Sequence, residues 1–391
     1  MPAPFMDATA EPVRRFNASH DNLRIEVVRG PLDTDALSDL AVSSLLLGES
    51  PYDVLLMDLT WTAKYAAAGW LEPLEPLLGA DALEPFVSGA LPGSRFDGHL
   101  WSIPLQGDTG LLYWRTDLME RPPRDTAELE RIARRLQRQG KVRWGYLWQG
   151  RQYEGLSCVV LEVLEAFGGH WWQAGADPAG GRTALDSPEA VRAVDWLQHL
   201  IRSGVSPAAV AGFAENEALQ LFAAGEAAFL RNWPYALALI NEGDAPVAGR
   251  VAAVPMVGAP GRRGGGTLGS WGFTVLRGSP QPSAAAEVIR WFTGEELQRH
   301  LAVEYGYAPT RRSLYEDGAL LAQLPLLAVQ RQALESAVAR PTTAVYAQLS
   351  DVLQRQVNGL LSGDESPASV MAIAQRRSEQ VLSSAASGVA P

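Results

Sequence analysis

Two tryptophans stand among turn-forming residues, where a core tryptophan is an odd choice. The segments Asn232-Trp233-Pro234-Tyr235 and Gly269-Ser270-Trp271-Gly272 hold large aromatic planes beside proline and glycine, which mark places where regular structure stops or another group comes close. A flat indole there can pack on the apolar face of a sugar ring while nearby polar groups take its hydroxyls. Polar and aromatic residues left at expected strand ends and loops could supply those groups, namely Asp58, Trp61, Gln106, Asp108, Tyr113, Trp148, Gln149, Tyr153, Glu154 and Arg340. An ionised carboxylate accepts from two vicinal hydroxyls at once, and a guanidinium donates to the same hydroxyls. Three other readings stay open on these residues alone. The indoles could fill gaps between core elements, the acids Asp58 and Asp108 could serve a glycoside hydrolase as acid and nucleophile or base, and aromatics with acids could hold a cation.

Other chemistries are poorly supported. The chain has no phosphate loop ending in Gly-Lys-Ser/Thr, no paired-histidine zinc motif and no Gly-x-Ser-x-Gly elbow. Gly264, Gly266 and Gly269 fit G-x-G-x-x-G, but they precede an expected strand instead of opening a helix after one, so they read as a flexible connection. The five histidines show no ligand spacing, and Cys158, the one cysteine, lies in an apolar stretch where a buried, inert thiol is expected. No catalytic, cofactor-binding or metal-binding residue is assigned. A net charge of -11 argues against nucleic acid or an anionic membrane surface as partner.

The elements that must position these residues alternate between strand and helix. At 391 residues the chain exceeds one ordinary core, so two domains are expected. Leu23 to Val28 alternates like a half-buried strand, and Tyr52 to Met57, after Pro51, reads as a buried one. Thr34 to Leu47 between them reads as a helix, and Val251 to Val257 and Gly272 to Leu276 as strands. Ser187-Pro188-Glu189 opens a helix carrying Val191, Val194, Leu197 and Ile201, with Gly204 as its stop. Thr293-Gly294-Glu295-Glu296 reads as a capping box before another. The basic run from Arg131 to Arg143 reads as the solvated face of a helix that buries Leu129, Ile132 and Leu136. Beyond Tyr315 the pattern is helical, which makes the chain α/β with a helical tail.

In this order the motifs are similar to those of a known family. Tyr52-Asp53-Val54 through Asp58 and Trp61, then Ala68-Gly69-Trp70-Leu71-Glu72-Pro73-Leu74, resembles the first lobe of bacterial ABC-importer sugar-binding proteins. Asp97 to Pro104, Leu111 to Leu118, Gln149 to Leu156, Phe222 to Tyr235 and Ala339-Arg340-Pro341 continue the resemblance along nearly the whole chain. It is nearest to the trehalose/maltose-binding and glucosylglycerol-binding subgroups, in which acids matching Asp58 and Asp108, tryptophans matching Trp233 and Trp271, and an arginine matching Arg340 line the site. Gln106 and Ala36 depart from that pattern, where an aromatic and an arginine are usual, so a smaller or differently shaped glycoside than trehalose becomes attractive.

The resemblance implies a two-lobed type II periplasmic-binding fold with a hinge. One lobe would take residues 1–107 and 268–310, and the other 108–267 and 311–391. It implies a monomer outside the cytoplasm that binds a neutral sugar in the interlobe cleft and delivers it to the permease of an ABC transporter. Its site would use Asp58, Trp61, Gln106, Asp108, Trp148, Tyr153, Glu154, Trp233, Ser270, Trp271 and Arg340. Because the subgroup begins with a strand that would fall at or before Met1, the chain reads as lacking its signal peptide and that strand.

Overall fold

The structure is a computed structural model that describes residues 1–31, 34–46, 52–175 and 181–387. Helices and strands alternate along it, and the chain divides into two compact units. The first comprises Met1–Asp108, Gly269–Leu327 and Thr342–Ala344; the second comprises Thr109–Leu268, Ala328–Pro341 and Val345–Pro391. Among the described residues no helix is long and apolar enough to cross a membrane.

The first unit is organised by a sheet with the strand order Val54–Asp58, Leu268–Val275, Ile103–Thr109. The run Leu55-Leu56-Met57 is buried on both sides, which is why it is continuously apolar instead of alternating. Its antiparallel register with the central strand sets Asp58 opposite Trp271 and Met57 opposite Gly272. Helices Ala3–Ser19, Pro282–Phe292 and Glu295–Tyr305 supply Phe5, Phe16, Ile289, Phe292 and Leu301 to the core over this sheet. Thr34–Leu46 is helical as expected, while Leu47 and Pro51 lie outside the described residues.

Two local expectations are overturned here. Leu23 to Val28 alternates in burial around Ile25 but joins no ladder. The carboxamide of Asn17 bonds both backbone groups of Ile25, donating to its carbonyl at 2.9 Å and accepting from its N–H at 2.7 Å, so a side chain takes the place of a neighbouring strand. The capping box at Thr293 is also absent. Its hydroxyl donates back to the Ile289 carbonyl at 2.8 Å, closing the preceding helix, and Gly294 is the N-cap of the next one. Two helices abut at this point, and the first claims the threonine.

The second unit contains a sheet ordered Val251–Pro255, Leu111–Arg115, Ala227–Asn232, Trp144–Leu147. The first two junctions are antiparallel and the last is parallel. Helix Pro188–Arg202 starts where Ser187 accepts from the Ala190 N–H at 3.2 Å, a cap that contributes roughly 1 kcal/mol. It buries Ala190, Ala193, Val194 and Leu197, one apolar stripe. Thr126–Arg138 is capped by Asp125 and buries Leu129, Ile132 and Leu136, as its sequence predicts. Its buried Glu128 accepts from Arg121, Arg124 and Arg131, which holds that carboxyl well below the usual carboxylate range. Glu154–Phe167 is sunk in the core, carries buried Cys158, and ends at Gly168, whose φ of 79° suits a residue without a Cβ. Tyr346–Ser362 and Pro367–Ala386 complete this core from the C-terminal end.

Gly264, Gly265 and Gly266 are packed, not loose. A Cβ on Gly266 would stand 2.2 Å from the Gly110 carbonyl oxygen, and one on Gly264 would stand 2.1 Å from that of Met256. Close backbone approach, and not conformational freedom, explains these residues.

Candidate functional site

In the first unit the candidate residues gather on one sheet. Asp58 ends its strand and caps the short turn Leu59–Trp61, its Oδ1 accepting from the Thr60 N–H at 2.9 Å and the Thr60 hydroxyl at 2.8 Å. That turn aims Trp61 at Trp271: the rings meet edge to face at 5.7 Å and 73°, a favoured aromatic geometry. Phe5 supports Trp271 at 6.0 Å and itself stacks on Tyr307 at 4.9 Å. Trp271 remains partly exposed, while Trp61 is buried.

The second acid of this unit lies on the strand Ile103–Thr109. Asp108 is buried, with Oδ2 accepting from Gln106 Nε2 at 3.0 Å and Oδ1 from the Ala308 N–H at 3.2 Å. Burial pushes its carboxyl up to about 7, and the Ala308 bond opposes that shift without cancelling it. The other amide atom, Gln106 Oε1, is buried and finds no hydrogen-bond partner among the described residues. Ser270 donates to the Gln106 backbone carbonyl at 2.6 Å, so its hydroxyl fixes the strand that carries the acid.

The second unit holds its candidates with charges. Trp233 follows directly on the strand Ala227–Asn232, and buried Tyr113 secures the turn by donating to the Trp233 carbonyl at 2.7 Å. The guanidinium of Arg231 lies 4.1 Å from the centroid of the Trp233 ring and covers it from one side. Arg231 is fully buried and doubly bonded to Glu162, at 2.9 and 2.5 Å, and it also donates to Gln149 at 3.2 Å. The indole N–H of Trp233 and the phenol of Tyr153 both donate to Glu215, at 3.1 and 2.7 Å.

Glu154 and Arg340, far apart in sequence, form an ion pair at 2.8 Å. Glu154 also accepts from the hydroxyls of Tyr346 and Ser350, and Arg340 donates to the Leu268 carbonyl at 3.4 Å. Trp148 is placed apart from these groups. It lies fully inside the second unit's core with its N–H donated to Ser206 at 3.1 Å, which is the packing role of a core tryptophan.

Sequence reasoning missed Glu215, Arg231 and Glu162. The available signal was a charge inside an apolar segment: Arg231 after Ala227-Ala228-Phe229-Leu230, and Glu162 among Val159, Val160, Leu161 and Val163. A charge so placed needs a buried partner. No group of His, Cys, Asp and Glu suited to a metal ion occurs among the described residues.

Known proteins share this architecture. A family profile described as "Bacterial extracellular solute-binding protein" matches residues 2–299. A probable ABC transporter-binding protein of Deinococcus radiodurans is 32% identical over 355 residues, 88% of this chain and 83% of its own. A maltotriose-binding protein of Pyrococcus abyssi is 23% identical over 342 residues, 86% of this chain and 71% of that one. Among solved structures, maltose-bound T. maritima MalE3 superposes with a TM-score of 0.88 at 31% identity, covering 96% of each chain, which identifies the fold as the two-lobed type with a helical C-terminal region. The chain therefore belongs to the bacterial extracellular solute-binding proteins, which serve ABC transporters as binding components and are not enzymes.

Proposed function

We propose that this protein binds a neutral sugar or glycoside outside the cytoplasm and delivers it, as a monomer, to the permease of an ABC importer. The observation that carries the reading is that each unit sets a partly exposed tryptophan beside fixed polar groups: Trp271 on the sheet that carries Asp58, Gln106 and Asp108, and Trp233 against Arg231 and, through the shared carboxylate of Glu215, beside Tyr153. A ligand with apolar ring faces and rim hydroxyls uses both kinds of surface. Asp108 and the open acceptor Gln106 Oε1 suit ligand hydroxyls as donors.

Disaccharides such as trehalose, maltose and sucrose, and the smaller glucosylglycerol, are the candidates. The maltose and maltotriose binding of two similar proteins supports that class. Thermal-shift screening of these glycosides tests it, since a ligand at 100 times its dissociation constant adds roughly 2.7 kcal/mol. No shift with any neutral glycoside, and a shift with a charged solute, would move the reading to another ligand class.

A further inference from the structure

Glu215 stands at the start of the helix Glu215–Ala223, and both of its carboxylate oxygens are committed to aromatic heads of the proposed site. Oε1 takes the indole N–H of Trp233 at 3.1 Å, and Oε2 takes the hydroxyl of Tyr153 at 2.7 Å. The side chain of Asn232 completes the fastening by donating to the Glu215 carbonyl at 3.3 Å and accepting from the Trp233 N–H of the backbone at 2.8 Å. The two aromatics arrive from separate elements, Tyr153 as N-cap of Glu154–Phe167 and Trp233 after the strand Ala227–Asn232, so one carboxylate joins the polar heads of both.

We propose that Glu215 is the positioning residue of this half of the site, and that it also sets its polarity. With both X–H groups turned to Glu215, Trp233 offers a ligand only its ring face and Tyr153 only an oxygen lone pair. A sugar hydroxyl that meets Tyr153 must therefore donate. Burial and the adjacent Glu215 charge raise the Tyr153 pKa well above that of a free phenol, so the hydroxyl stays protonated and remains the donor to the carboxylate. This role deepens the sugar-binding reading and rests on it for the ligand, but the clamp itself is made only of the chain's own groups.

The test uses the whole chain labelled at the indole nitrogens of its twelve tryptophans. The Trp233 N–H resonance is identified by its loss in Trp233→Phe. In Glu215→Ala that single resonance should move and exchange faster with solvent, while the other indole resonances and the melting transition stay close to the parent's. Glu215→Gln, which keeps one acceptor oxygen, should restore either the Trp233 bond or the Tyr153 bond but not both. With maltose as probe, the dissociation constant should rise roughly ten-fold in Glu215→Ala and less in Glu215→Gln. A Trp233 resonance unmoved in Glu215→Ala overturns the clamp, as does a shift of all twelve together. If the resonance moves alone while the parent binds neither maltose nor any other glycoside, the clamp stands and the sugar reading falls.

Discussion

Trp271 and Trp233 both leave an indole partly exposed for the proposed site, yet the two units hold them by different forces. In the first unit rings hold the ring: Trp61 meets Trp271 on edge, and Phe5, stacked on Tyr307, backs it. In the second, the fully buried Arg231 lies over Trp233, Glu162 neutralises Arg231, and Glu215 takes the indole N–H. Aromatic packing is built from many weak contacts and fails gradually. A buried ion pair is a single device, and it fails at once when one partner goes.

That contrast breaks most visibly at Arg231. Arg231→Met leaves Glu162 buried without its countercharge and should cost about 3–5 kcal/mol of stability, read as a lower denaturant midpoint. Replacing both partners, Arg231→Met with Glu162→Leu, should recover most of that loss. If the double variant were as unstable as the single one, the pair would be doing more than neutralising itself.

Asp108 gives the next effect, and its sign follows from its raised pKa. The folded protein holds this proton more tightly than the unfolded chain, so the group's stabilisation is full below the ordinary carboxylate range near about pH 4 and is lost as pH rises through about 7. Asp108→Asn should therefore flatten the fall in melting temperature between pH 5 and 8, which changes stability by a few kcal/mol. A sugar that donates to Asp108 favours its ionised form, so binding near neutral pH should release a proton, measurable by calorimetry in buffers of different ionisation enthalpy.

The tryptophans sharpen the comparison directly. Trp233→Ala and Trp271→Ala should each weaken glycoside binding by roughly 1–3 kcal/mol. Trp271→Ala should also lower the melting temperature more than Trp233→Ala, because it empties the centre of a ring cluster. Equal affinity losses with equal melting temperatures would erase the distinction. The smallest change is Ser270→Ala, which removes the 2.6 Å bond to the Gln106 carbonyl and should cost about 1 kcal/mol of stability.

What the sequence reveals follows the same division. Continuous apolar runs such as Leu55-Leu56-Met57, and caps such as Ser187-Pro188, act locally and are legible. The partly exposed placement of Trp271 is legible too, since an indole among glycines advertises itself. The supports of Trp233 are not, because Glu162 and Arg231 are 69 residues apart and neither segment names its partner. Asn17 replaces a strand partner for Ile25 across 8 residues, which no alternation pattern can signal. Trp148 sits beside Gln149 and Gly150 as a site residue would, and only its burial assigns it to the core. The Gly264 to Gly266 run resembles a hinge in composition, whereas the backbone packed against it explains the residue type.

The network around Glu154 has a consequence for how the chain acquires its structure in time. Glu154 lies at the start of a central helix, yet the groups that compensate it, Arg340 and Ser350, follow 186 and 196 residues later. Gln375 likewise bonds the Leu185 N–H across 190 residues. The second unit thus cannot finish while its last segments are still being synthesised. Closing loops of that length before their contacts form makes folding slow, so the nascent chain spends an extended period incomplete and open to partners that act on unfolded chains.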